Sequence, residues 1–154
     1  MDTQQGKKLI IELMEISEAC YLTTIDNRGF PQTRAMLNLR NSECYPNLVS
    51  LFKKHNHDHL VYFTTNTSSQ KINQIKNNPK VSVYYSKPRE WRGLMLGGTI
   101  EIVEEQAIKN SLWQDSWTMY YSGGPTDPDY TILALKPDVL KLYHQLDFFT
   151  LHPG

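Results

Sequence analysis

VYFTTNTSSQKINQIKNNPKVSVYY, residues Val61 to Tyr85, reads as a strand, a polar turn, a two-turn helix and a second strand. Val61 through Thr65 are β-branched or aromatic, the side chains that fit a pleated surface. Asn66, Thr67, Ser68 and Ser69 interrupt them with small polar groups that cap helices. Thr67 followed by Gln70 has the spacing of a capping box, and Ile72 with Ile75 gives the helix a narrow apolar stripe. Asn77-Asn78-Pro79 ends it, because the residue before a proline is driven out of the α region. Lys71 is out of place electrostatically. A cation in the first turn faces the positive end of the helix dipole and is disfavoured there unless an anion is nearby. Open backbone N–H groups, hydroxyls and a lysine at one helix start together make a seat for a phosphate.

Upstream of this unit, CYLTTI (20–25) reads as a strand, Asp26-Asn27-Arg28-Gly29 as a hairpin loop, and PQTRAMLNL (31–39) as the return strand. Alternation puts Gln32, Arg34, Met36 and Asn38 on one face of that strand, and Thr33, Ala35, Leu37 and Leu39 on the other. An arginine in the middle of a mostly apolar strand needs a partner, either a salt bridge at a barrel rim or a bound anion. Leu9, Ile10, Leu13 and Ile16 recur at helical spacing, which predicts an amphipathic opening helix packed on the domain.

Residues 40–58 are less regular. Cys44-Tyr45-Pro46-Asn47 predicts a turn, and Leu48, Leu51 and Phe52 a single helical turn. His55, His57 and His59 alternate, and on a strand they would share a face with metal-ligand potential. Lys53, Lys54, Asn56 and Asp58 around them favour a solvated loop instead, and no metal is expected. Beyond the central unit, Lys87 to Glu90 is a polar turn and WRGLMLGGTIEIV (91–103) a long strand. Gly97-Gly98 within it signals a bulge, a sharp bend or the close approach of another group. Glu104 to Trp113 predicts a helix, Trp117, Tyr120 and Tyr121 an aromatic-rich turn, and Tyr130–Leu135 and Val139–Tyr143 the last strands. Six or seven mostly hairpin-linked strands with short helices predict an α+β, mainly antiparallel, barrel-like domain.

The 154 residues suit one domain, spanning 1–154, and the 16 basic and 16 acidic side chains cancel. No global field therefore draws the chain to nucleic acid or acidic lipid, and neither is an expected partner. Cys20 and Cys44 form no CxxC pair, which predicts two reduced thiols in a cytoplasmic protein. No stretch has the make-up of a signal peptide or the apolar length to cross a bilayer.

The arginine-bearing strand Thr33-Arg34-Ala35-Met36 is followed by the strand end Tyr62-Phe63-Thr64-Thr65 and the helix start Ser69-Gln70-Lys71. Asn78-Pro79-Lys80-Val81 and the glycine-bearing strand Leu94 to Gly98 come next. In this order and spacing the chain resembles the pyridoxamine 5'-phosphate oxidase-like, FMN-binding split-barrel superfamily over residues 8–145. The resemblance implies a six-stranded split β-barrel (Greek key) with short flanking helices, forming a homodimer with FMN at the subunit interface. It implies that Arg34 and Lys71 hold the FMN phosphate, with Ser69 and Gln70 beside them. By the same resemblance Arg34, Ala35, Met36 and Leu37 with Thr64 and Thr65 line the ribityl chain and the polar edge of the ring. Trp91, Arg92 and Gly93 reach the partner's flavin, and Trp113, Trp117 or Tyr143 covers the ring.

Gln70 stands where the vitamin B6 oxidases carry an arginine and Gly93 where they carry a glutamine, and their C-terminal Arg- and His-bearing motif is absent. The resemblance is thus to the shorter stress-protein and flavin-reductase-like branch. It implies an FMN-dependent oxidoreductase, passing hydride from a reduced nicotinamide or other small reductant to a small acceptor. The alternatives are a non-enzymatic flavin carrier or sensor, or the same fold holding a deazaflavin or haem, with His144 or one of His55, His57 and His59 as axial ligand.

Overall fold

The long strand predicted at 91–103 is the spine of the structure, a computed structural model that describes residues 1–153. Eight strands join in one curled antiparallel sheet: β1 (Ala19–Ile25), β2 (Pro31–Leu37), β3 (Val61–Asn66), β4 (Lys80–Lys87), β5 (Arg92–Val103), β6 (Tyr130–Leu135), β7 (Val139–His144) and β8 (Asp147–Leu151). The main path runs β2-β1-β4-β5-β6-β3, with β7 and β8 branching from β5. β5 holds β4 along one edge. On its other edge Arg92–Gly97 pairs with β7 and Ile100–Val103 with β6.

The change of partner falls at Gly97-Gly98. Asp138 N donates to Gly97 O at 2.8 Å, so the β6–β7 corner lies against the strand. A Cβ on Gly98 would stand 3.3 Å from both Lys136 O and Asp138 N. The two glycines thus mark a bend and a close backbone approach together.

Four α-helices complete the described residues: α1 (Thr3–Ile16), α2 (Val49–Lys53), α3 (Gln70–Asn77) and α4 (Gln106–Leu112). Ile10, Leu13 and Met14 of α1 and Ile72 and Ile75 of α3 enter the barrel core, against Leu22, Phe63, Val83, Leu94, Leu96 and Leu142. A second core on the outer side of β3 and β6 gathers Phe52, Tyr62, Leu112, Trp117, Tyr121, Tyr130 and Ile132. β3 serves both cores because its side chains alternate: Val61 and Phe63 enter the barrel, and Tyr62 the outer core.

The fold is the α+β split barrel expected, with two differences. The strand β8 exceeds the six or seven strands read from the sequence. The turn before it is Gln145-Leu146, with Gln145 left-handed at φ 58°, so no Gly, Asn or Asp announced a hairpin. The Thr67–Gln70 capping box is not formed. Thr67 N donates to Asp129 O, and the Thr67 hydroxyl to Pro128 O, so the 127–129 loop takes that residue away from the helix. Ser69 is the N-cap and makes no side-chain cap hydrogen bond.

Candidate functional site: a cleft at the split in the barrel

The two ends of the sheet path, β2 and β3, approach each other but share no hydrogen-bonded ladder. Each leaves one edge of backbone N–H and C=O groups open, where a ligand can satisfy them. A cleft of about 390 Å³ lies along this split, lined by Ala35, Met36 and Leu37 of β2, Thr64, Thr65 and Asn66 of β3, and Glu18, Ala19, Lys71, Tyr120 and Tyr121.

Arg34 is on the inward-facing side of β2, as the alternation predicted, and its guanidinium is held from three directions. Nη1 donates to Thr24 Oγ1 at 2.7 Å and to Gln32 O at 2.7 Å; Nη2 donates to Gln74 Oε1 at 3.2 Å. Lys71 Nζ donates to Thr65 Oγ1 at 2.9 Å and Ser69 Oγ at 3.1 Å. Every one of these acceptors is neutral. Among the described residues neither cation has a carboxylate within ion-pair distance. Partial burial, and then the nearby Arg34 charge, pull the Lys71 pKa below its usual 10.5. Burial likewise lowers the Arg34 pKa, and two half-buried neighbouring cations with no counter-charge leave positive charge that an anion would offset.

The other predicted site residues divide. Gln70 begins α3 and is exposed, next to Ser69 and Lys71. Thr65 bonds Lys71, whereas Thr64 bonds the Tyr121 hydroxyl at 2.8 Å on the opposite side of the strand. Arg92 is buried, and its Nη1 lies 3.2 Å from both Glu12 and Glu90, so its charge ties β5 to α1. Gly93 is overlaid by the Tyr84 hydroxyl, which occupies the space a Cβ would need. Trp91 is left-handed (φ 53°) and 79% exposed, outside the cleft. Trp117 is 2% exposed, locked edge-on to Trp113 inside the outer core, and the cleft wall falls to Tyr120 and Tyr121 instead.

Gln74 and Thr24, which fix Arg34, were not singled out from the sequence. Gln74 follows Lys71 by three residues and so shares its helix face, a spacing that links it to the same site. The histidine cluster assembles around Asp58, 3.2 Å from His55 and 3.7 Å from His57. His59 points away into the interior with both ring nitrogens unpartnered. No group of three metal-ligating side chains gathers among the described residues.

General stress protein 26 of Bacillus subtilis (strain 168) is 23% identical to this chain over 146 residues, covering 92% of this chain and 91% of that protein. The crystal structure of a protein related to general stress protein 26 from Clostridium acetobutylicum is 30% identical, with a TM-score of 0.78 over 99% of this chain and 96% of that one. The fold recurs at 14% identity in an FMN binding protein related to pyridoxamine 5'-phosphate oxidase from Nostoc punctiforme PCC 73102, with a TM-score of 0.59 over 97% and 92% of the two chains. It recurs at 10% identity in a heme binding protein from Mycobacterium smegmatis, with a TM-score of 0.66 over 99% of this chain and 59% of that one. A family model described as pyridoxamine 5'-phosphate oxidase like matches residues 5–144, and the chain belongs to that family.

Proposed function

We propose that this chain is an FMN-binding flavoprotein that works as an oxidoreductase on a small-molecule acceptor. The observation that carries the reading is the Arg34–Lys71 pair, two neighbouring cations without a carboxylate partner, Lys71 in the lining of the cleft and Arg34 next to Ala35 on the β2 side of it. The fit to FMN rests on charge and shape. A phosphate carries about −1.5 to −2 charge near neutral pH, which two cations match. The uncapped start of α3 adds N–H groups at the same place. The open edges of β2 and β3 offer alternating donors and acceptors to a polyhydroxyl chain.

When bound, FMN supplies hydride acceptance and return at its ring system. The residues of this chain orient it: Arg34 and Lys71 fix the phosphate end, and Thr65 and Ser69 hold Lys71 in position. The 35–37 backbone lies alongside the remainder of the cleft. Nothing in this arrangement requires a side-chain acid–base pair for turnover, since the cofactor carries the chemistry.

The outer face of the sheet supports a homodimer. Leu37, Tyr21, Tyr84, Tyr143 and Phe148 are all exposed and share that face through the β2-β1-β4-β5-β7-β8 register. A row of apolar and aromatic side chains of this kind is covered in most oligomers. Trp91 projects at one end of it, where it reaches a second subunit.

The test is the absorption spectrum of the purified protein, followed by anaerobic addition of NADH or NADPH. The reading expects a flavin spectrum with FMN released on denaturation, and bleaching by a reduced nicotinamide. Flavin that stays oxidised assigns the protein as a carrier or sensor. A Soret band in place of flavin moves it to the haem-binding use of the fold.

A further inference from the structure

Thr64 and Thr65 are neighbours on β3, and strand alternation sends their hydroxyls to opposite faces of the sheet. On the barrel side Thr65 accepts from Lys71, 2.9 Å away; on the outer side Thr64 meets the Tyr121 hydroxyl at 2.8 Å. One end of the open edge therefore has cations on one face and tyrosines on the other. Tyr120 and Tyr121 follow a 3₁₀ turn, Asp115–Met119, and both of their N–H groups donate to Trp117 O at 2.9 Å. Trp117 anchors that turn in the outer core. Tyr121 is sunk between Trp113 and Tyr130, while Tyr120 is 51% exposed and lines the cleft. Tyr120 meets Tyr121 at a T-shaped angle of 61°, and among the described residues no ring stacks flat upon it.

We propose that Tyr120 is a ligand-binding residue that lies flat against the planar ring of a molecule whose anionic end sits between Arg34 and Lys71. The ligand passes through the opening between β2 and β3, with its charge on the barrel side and its ring on the outer side. Tyr121 is the positioning residue: its bond to Thr64 fixes the height of the Tyr120 ring against the open edge of β3. The proposal rests on the flavin reading and adds the ring-binding wall, which the family resemblance had placed at Trp113, Trp117 or Tyr143. Aromatic stacking gives a half-exposed tyrosine beside a cleft, its hydroxyl bonded to no other group among the described residues, a use for its open ring face.

The experiment titrates the wild type, Tyr120→Phe, Tyr120→Leu and Lys71→Ala with FMN and with riboflavin, following flavin fluorescence. Inorganic phosphate serves as a competitor of FMN. A tyrosine stacked on the ring quenches the bound flavin. Tyr120→Leu is expected to weaken FMN and riboflavin alike by about tenfold and to brighten the bound flavin. Tyr120→Phe keeps the wild-type affinity, and phosphate competes with unchanged affinity in both Tyr120 variants. Lys71→Ala weakens FMN and phosphate but not riboflavin. Equal flavin affinity and quenching in Tyr120→Leu and wild type overturns the role of Tyr120, as does a parallel loss of phosphate affinity, which marks a general disturbance of the cleft. A wild type that binds phosphate but neither flavin overturns the flavin reading itself.

Discussion

At the scale of single residues, the half-buried and buried cations differ in whether a carboxylate meets them and in whether they stand at the split. Arg92 is neutralised by Glu12 and Glu90, and Arg40 spends its donors on Leu60 O, His55 O and Asn56 Oδ1. Pairing of this kind offsets the cost of burying a guanidinium, in Arg92 through Nη1 alone, since its Nε and Nη2 have no partner. Arg34 and Lys71, like Arg40, have only neutral partners, which position them without cancelling their charge, but they are half-buried beside the open split where Arg40 is enclosed. Lys71 was legible because a lysine in a first helical turn violates the dipole preference. Arg34 was legible because it interrupts a strand. The buried state of Arg92 was not, because its partner Glu12 lies eighty residues away and only the fold brings them together.

His59 makes a separate prediction. It is 2% exposed, left-handed at φ 57°, and has no partner on either ring nitrogen. Burial, and then the Arg40 charge, push its pKa from the usual 6.5 down to about 4; Lys7 and His57 act in the same direction and Asp58 against it. Between those values the unfolded chain binds the proton and the folded chain does not, so stability falls as pH drops from about 6.5 towards 4 and is level above. A depression of this size is worth on the order of 3 kcal/mol. Melting curves across that window should show the loss in the wild type and a flatter limb in His59→Asn, which tolerates the left-handed backbone.

At the scale of elements, β5 carries the fold because it serves three partners, and the two glycines are where it changes from one to another. Gly98→Ala would place a methyl 3.3 Å from two backbone atoms of the β6–β7 corner, which has no flexible end to swing aside. We expect it to lower the free energy of unfolding by about 1–3 kcal/mol, measured by urea denaturation. Wild-type stability in that variant would remove the corner as the reason for the glycine. Strand positions and the Gly97-Gly98 bend were readable because period-two alternation and glycine are local signals. The β7–β8 hairpin was not, because its turn is built from Gln145 and Leu146. β8 is instead placed by tertiary packing, with the Phe149 ring filling the space left open at Gly6 of α1.

At the scale of the whole molecule, the split between β2 and β3 is a topological gap that opens a cleft. The antiparallel character was readable from hairpin-linked strands, but the order was not, least of all the pairing of β3 with β6 across the chain. That pairing is what leaves the β3 edge open beside β2. The exposed aromatic face of the same sheet predicts self-association. Light scattering should give a dimer, and Tyr84→Glu with Phe148→Glu should shift it to monomer by burying charge at the interface core. A monomeric wild type at micromolar concentration would contradict the assignment of that face.

The central claim is that Arg34 and Lys71 together seat a phosphate at the split, and the affinity difference between FMN and riboflavin measures it directly. The two ligands share the ring and chain and differ only in the phosphate. Charge-assisted hydrogen bonds contribute about 1.5–3 kcal/mol each, so FMN should bind the wild type at least a hundredfold more tightly. In Arg34→Ala/Lys71→Ala that advantage should largely vanish, while riboflavin binding stays within a few-fold of wild type. Equal affinity of the wild type for FMN and riboflavin, or an FMN preference that survives the double substitution, would contradict the account.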